Sequence, residues 1–197
     1  LRNAGVINAT CSQNVPFKGS SGWEINWEGA DPLEKINSRY NYVSYDFVDT
    51  FKMKIVKGRN FSREFSSDEK ACLINETLAK TVGWKNPVGK RIMDNKFTVI
   101  GVIKDFHPYS VHERIPPYFA LLHKRRPKGC ELFSIRTASK DPGPTLEYVS
   151  QTLRHFYPNS IFEVRYFDQD LDKQSLEIWT GVANTFKFFT ILAIMIA

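Results

Sequence analysis

The stretch Phe97-Thr-Val-Ile-Gly-Val-Ile-Lys-Asp-Phe-His107 decides how this chain is read. Its first seven residues are a nearly continuous run of β-forming apolar side chains, which predicts a strand buried on both faces. Gly101 interrupts the run, and a glycine inside a strand marks a bulge or the close approach of another backbone. Working outward, Arg91 to Met93 reads as a short strand joined to this one through an Asp94-Asn95 turn. Asn86-Pro-Val-Gly89 is turn chemistry, since proline presets one dihedral and glycine permits a positive one. Ala71 to Ile74 is a short apolar strand. Asn75 stands where a helix N-cap belongs, Leu78 and Val82 share a helical face, and Gly83 takes the left-handed helix end.

Two similar patterns flank this β-rich centre. On one side Ile36, Ser38, Tyr40 and Tyr42 alternate with Asn37, Arg39 and Asn41, as in a half-buried strand. Ser44 can cap a short helix carrying Phe47, Val48 and Phe51; Met53 to Val56 is a strand, closed by Gly58-Arg59-Asn60. On the other side Leu132 to Thr137 is a strand, and Asp141-Pro-Gly-Pro144 leads into a helix with Leu146, Val149, Leu153 and Phe156 on one face. Ile161 to Phe167 reads as a further strand. Residues 1 to 35, with Trp23 and Trp27, read as irregular. The fold class is α+β: two β-α-β halves, roughly 36–58 and 131–167, flanking an inserted small β-rich lobe.

Composition narrows the functional classes. The 197 residues carry 27 Lys+Arg against 21 Asp+Glu, a net charge of +6, with 42% hydrophobic and 24% charged residues. Those proportions belong to a globular protein and exclude a disordered or coiled-coil chain. The densest basic cluster, His123-Lys-Arg-Arg-Pro-Lys128, is short, holds Pro127 and precedes Gly129, so it reads as a solvated loop and not as a nucleic-acid surface. Cys11, Cys72 and Cys130 are odd in number and widely spaced, which signals neither a disulfide framework nor a zinc site; all three read as small buried apolar side chains. The charge is unevenly placed. Of the 20 residues from Ile178 to Ala197, 14 are hydrophobic and Lys187 alone is charged, so the tail reads as the start of a transmembrane helix. A chain that opens on Leu1 and stops inside such a run reads as a span of a longer protein.

Catalytic signatures are scarce. The chain holds no G-x-S-x-G, no H-E-x-x-H and no Walker A loop, so P-loop hydrolysis of ATP is excluded for this span. Asp105, His107, His112 and Glu113 could supply an acid–base pair or metal ligands. The five-residue spacing of the two imidazoles around Pro108 lacks the helical geometry of a zinc pair, and the structural reading has Asp105 capping a turn and His107 bonded to backbone. Gly58-Arg59-Asn60-Phe61 could form an anion nest; its structural reading is a left-handed strand end with Arg59 paired to Asp68 or Glu69. No cofactor or metal is expected.

Taken in order, Tyr45-Asp-Phe47, Lys57-Gly-Arg-Asn-Phe61, Ser67-Asp68, Leu73-Ile-Asn-Glu76, Gly83-Trp84, Asn86-Pro-Val-Gly-Lys90 and Phe97 to His107 resemble the extracytoplasmic core domain of MacB-like and FtsX-like ABC transporter permeases. The signature positions are Gly58, Arg59, Phe61, Asp68, Asn75, Glu76, Asn86, Pro87, Gly89, Gly101, Asp105 and His107, all in structural roles. The resemblance implies a porter-like subdomain from residues 1–60 and 108–177, a sabre-like insert at 61–107, and a membrane helix beginning at 178–197. It also implies a permease homodimer or heterodimer in the cell membrane, with this domain outside. A cytoplasmic ATP-binding subunit or domain would drive it, and a periplasmic adaptor or chaperone would be a further partner. The domain would be non-catalytic and mechanically coupled. Two other classes compete: a ligand-sensing domain of a membrane receptor, and an enzyme built on Asp105, His107 and His112.

Overall fold

A computed structural model describes residues 5–16, 20–31, 33–107, 114–123, 132–138, 142–159 and 162–167. The chain divides into two compact units, Leu1–Leu153 and Arg154–Ala197. The first holds a nine-stranded mixed sheet: β1 (Val6–Ser12), β2 (Ser21–Ile25), β3 (Ile36–Val43), β4 (Ile55–Gly58), β5 (Ala71–Asn75), β6 (Arg91–Ile92), β7 (Phe97–Ile103), β8 (Tyr118–Leu122) and β9 (Leu132–Thr137). Among the described residues, helices α1 (Phe47–Thr50), α2 (Glu76–Thr81) and α3 (Gly143–Phe156) and a 3-10 turn at Ser66–Lys70 complete the elements. In the second unit Arg165 pairs with Glu163 at 2.7 Å and the Tyr157 and Phe162 rings lie 6.3 Å apart.

The strands run in the order β4-β7-β5-β8-β3-β1-β9. β5 is buried at all five residues, and a strand with no wet face must pair on both edges. It does so, parallel to β7 and antiparallel to β8. Its alternate side chains feed two cores. Cys72 and Ile74 join Leu78 of α2, Val99 of β7 and Phe119 and Leu121 of β8. Leu73 and Ala71 join Val43, Phe47, Val48, Phe61, Ile103 and Tyr118 on the α1 side. Two strands are long enough to share one edge between two partners: β7 takes β6 and β4, and β3 takes β2 and β1. An antiparallel bridge between Trp27 and Ile92 then brings the ends of β2 and β6 together, so the sheet curls over the first core.

The central elements match the sequence reading, including β5, β6, β7, the Asn75 cap, and left-handed φ at Gly83 and Gly89. Several expectations are corrected. Residues 1 to 35 contain β1 and β2; β1 buries polar Thr10 and Ser12, and β2 exposes Gly22, Trp23 and Glu24 in a row, so neither shows a clean apolar and polar alternation. β8, masked by the neighbouring prolines Pro116 and Pro117, is a fully buried strand. β3 and β4 do not adjoin as a strand–helix–strand unit, because β8, β5 and β7 lie between them. β4 pairs with β7 and β5 pairs with β8, so β5 and β7 stand at the centre of the sheet. Residues 162–166 form no strand. Ser44 does not cap α1 through its side chain, which instead meets Thr10 Oγ1 at 2.8 Å. Cys11 is disulfide-bonded, Cys72 is free and buried, and Cys130 lies outside the described residues. Among the described residues no helix is long and apolar enough to cross a membrane; the tail from Ile178 to Ala197 lies outside them.

Gly101 is where the packing is tightest. A Cβ there would stand 2.3 Å from the Arg59 carbonyl oxygen and 3.0 Å from Leu73 Cδ2. The β5–β7 register skips between Cys72↔Val99 and Leu73↔Gly101, so the glycine marks both a bulge and a close approach. Opposite it, Gly58 has φ +72° and its Cβ would fall 2.2 Å from the Ile100 carbonyl oxygen. Gly101→Ala and Gly58→Ala should each cost about 3 kcal/mol or more in urea unfolding. Gly83→Ala, left-handed but with open space around it, should cost only about 1 kcal/mol. A thiol titration of the denatured chain should find one reactive cysteine before reduction and three after.

Candidate functional site

The signature residues gather along β7 and its neighbours. At one end Gly58 and Gly101 pair across the β4–β7 ladder, and the Arg59 amide donates to the Ile100 carbonyl at 3.0 Å. This turns the Arg59 side chain onto Asp68. The guanidinium donates through two nitrogens, to Oδ2 at 2.8 Å and Oδ1 at 2.6 Å, while the Ser62 amide donates to Oδ2 at 2.9 Å. Asp68 is fully buried and Arg59 is 37% exposed, lying 4.2 Å over the Phe65 ring. Burial alone would raise the Asp68 carboxyl, but the guanidinium and the Ser62 amide outweigh it and hold it below the usual carboxylate range. Phe61, 5% exposed, drops into the second core beside this pair.

Two residues along the sheet, a polar brace forms at the start of α2. Asn75 Oδ1 accepts from the Leu78 and Tyr118 amides, both at 2.9 Å, and its Nδ2 donates to the Pro116 carbonyl at 3.0 Å. Asp105 accepts from the Thr77 amide at 2.9 Å and the Thr77 hydroxyl at 2.8 Å, and its own amide donates to Glu76 at 3.0 Å. The structural reading had Asp105 capping a turn and His107 bonded to backbone; here Asp105 is a carboxylate at the start of α2 with both oxygens engaged. His107 departs from that reading: its Nδ1 is buried with no partner instead of bonding backbone. His112 and Glu113 lie outside the described residues. The Asn86-to-Gly89 turn docks on the same strand through the Gly89 amide and Val99 carbonyl at 2.8 Å, with Pro87 buried.

Some contacts had no signal in the sequence. Lys90 meets Glu28 at 2.6 Å, and the Trp84 indole donates to the Glu28 carbonyl at 3.3 Å, tying the loop after β2 to the α2–β6 connection. Partners 56 and 62 residues apart leave no local pattern to find. That loop and the β6–β7 turn border a shallow polar recess of about 220 Å³, lined by Asn26, Trp27, Glu28, Gly29, Ala30, Asp94 and Asn95. Within it Asn26 and Asp94 bond each other at 2.6 and 2.7 Å. Among the described residues no three His, Cys, Asp or Glu side chains converge as metal ligands. The carboxylates of Asp68, Asp105 and Glu28 are engaged by Arg59, Thr77 and Lys90, so this constellation positions backbone and strands.

Residues 6–121, more than half of the chain, match the model of the MacB-like periplasmic core domain. The chain belongs to this family. It is the periplasmic domain of a MacB-like ABC transporter permease. Three solved structures share its α+β fold. The periplasmic region of MacB from Actinobacillus actinomycetemcomitans aligns at 15% identity and TM-score 0.61 over 89% of this chain and 78% of that one. A domain of a protein classed as a permease from Porphyromonas gingivalis aligns at 18% and 0.57, over 79% of this chain and 66% of that one. The extracellular domain of the ABC-type transporter YknZ from Gram-positive bacteria aligns at 16% and 0.56, over 81% of each. The chain therefore spans about two thirds of the first and about four fifths of the others. No curated protein matches.

The Arg59–Asp68 pair predicts an acid signature. A depressed carboxyl stabilises the fold at every pH above its unfolded value of about 4, and that contribution is lost as the pH falls from there through the folded value. Asp68→Asn should cost about 2 kcal/mol near pH 7, and its gap from the parent chain should narrow as the pH falls below about 4 in acid-unfolding titrations. A gap independent of pH would place the effect elsewhere.

Proposed function

We propose that this domain couples cytoplasmic ATP hydrolysis mechanically to the export or extraction of a substrate on the outer side of the membrane. The match of residues 6–121 to the MacB-like periplasmic core domain carries this reading. In it the ATPase resides in a separate subunit or domain, the permease works as a homodimer or heterodimer, and a periplasmic adaptor or chaperone takes part. Residues 178–197 begin a membrane helix, which anchors the domain to the cell membrane. The side chains already described support a mechanical role, because the buried polar groups on β5 and β7 are used to join strands and helix ends. The disulfide at Cys11 supports placement on the oxidising side of the membrane.

The test uses the full-length transporter reconstituted with its ATPase and spin-labelled at Val88→Cys. Val88 is 45% exposed on the Asn86-to-Gly89 turn, and Cys72 is buried, so the label reports from one place. Trapping ATP should change the label's spectrum and the distances between labels on paired permeases. Identical spectra and distances in nucleotide-free and ATP-trapped transporter overturn the mechanical reading.

A further inference from the structure

The ribbon formed by β1 and β9 is joined to the rest of the sheet differently from every strand pair at the sheet's centre. Its own ladder runs from Val6↔Thr137 to Ser12↔Leu132. Toward β3, the described residues give β1 one partner pair, Ser12↔Val43, flanked by the Gln13 amide on the Tyr42 carbonyl at 2.9 Å and the Ser44 amide on the Cys11 carbonyl at 2.8 Å. Beyond that point the same edge of β3 belongs to β2.

The packing changes at the same place. Among the described residues neither core takes a side chain from β1 or β9; the second ends at Val43. What the ribbon buries is small and polar, Thr10 at 3% exposure and Ser12 at 0%. Thr10 Oγ1 meets Ser44 Oγ at 2.8 Å, the Cys11 amide donates to Ser44 Oγ at 3.1 Å, and the Arg136 guanidinium donates to the Asp49 carbonyl ending α1 at 2.8 Å. Ser12 Oγ and Arg136 Nε are buried without partners, so the seam holds unused hydrogen-bonding capacity. Sliding an apolar core opens cavities and costs several kcal/mol, whereas short hydroxyls can exchange one partner for another with little loss.

We propose that this seam is a mechanical joint: the β1–β9 ribbon swings as one body about Ser12 and Val43, with Ser44 as its polar latch. The purpose of the joint rests on the permease reading proposed above. The joint itself is a property of this chain alone.

Amide hydrogen exchange on the 197-residue chain tests it directly. The Gln13 and Ser44 amides should exchange about 100-fold faster than the β5 and β8 ladder amides, while the β1–β9 ladder stays protected beyond the joint. Ser44→Ala, and separately Thr10→Ala, should speed exchange at the Gln13 and Cys11 amides by about five- to tenfold and leave β5 and β8 unchanged. Exchange of the joint and the β5 and β8 amides in a single global step overturns the joint. Loss of the β1–β9 ladder together with the joint also overturns it, since the ribbon would then fray and not swing. Because the label at Val88 reads the transporter and exchange reads the isolated chain, failure of the joint and failure of the coupling give different results.

Discussion

β5 is buried along its whole length, and a buried strand can leave no backbone amide or carbonyl without a partner. That requirement places β7 on one side and β8 on the other, and it makes the strand's exit the most constrained point of the molecule. Asn75 resolves it with one side chain. Its amide serves the first turn of α2, the amide of Tyr118 opening β8 and the carbonyl of Pro116, so strand, helix and neighbouring strand are fixed together. Asp105 repeats the device from the end of β7, holding the next helical amide. Removing either partner from such a buried network leaves donors stranded, which costs more than the bond itself contributes.

From this centre outward the means of attachment changes. β7 tolerates the Arg59 carbonyl against it because Gly101 has no side chain, and the resulting turn carries Arg59 to buried Asp68. On both faces alternate residues of β5 and β8 build apolar cores closed by α2 and by α1. At β1 and β9 the apolar contacts give way to hydroxyls, a guanidinium and one strand pair. A body held by apolar packing and a ribbon held by polar contacts respond differently to load, since packed cores resist gradual deformation. Under the mechanical role proposed above, that contrast is a physical basis for motion in a defined place.

How much was legible follows from where the information lies. The strands and turns from Ala71 to Ile103 were readable because each carries its own mark: continuous β-formers, an Asn before a helix, a glycine at a left-handed end. The Arg59–Asp68 pair was within reach because its partners are nine residues apart, and Asp105 as a cap because its neighbours lacked catalytic spacing. β1 and β2 were missed because β1 buries polar Thr10 and Ser12 while exposing Ile7, β2 exposes Gly22, Trp23 and Glu24 in a row, and both pair with distant strands. The disulfide at Cys11 was missed because three scattered cysteines carry no spacing signal. Ile161 to Phe167 reads as a strand from its β-forming residues, yet 162–166 form no ladder among the described residues, since β-propensity supplies no partner.

By itself the sequence determined the local grammar of this protein: its α+β class, the central strands β5 and β7, the caps and turns between them, and the ordered motifs of its family. These depend on side chains within a few residues of one another. The tertiary structure alone decided that β8, β5 and β7 stand between β3 and β4, and that β1 and β9 attach through a polar seam. Those choices depend on which strand edges are left unpaired once the buried centre is satisfied, and on whether apolar or polar surface remains to cover them.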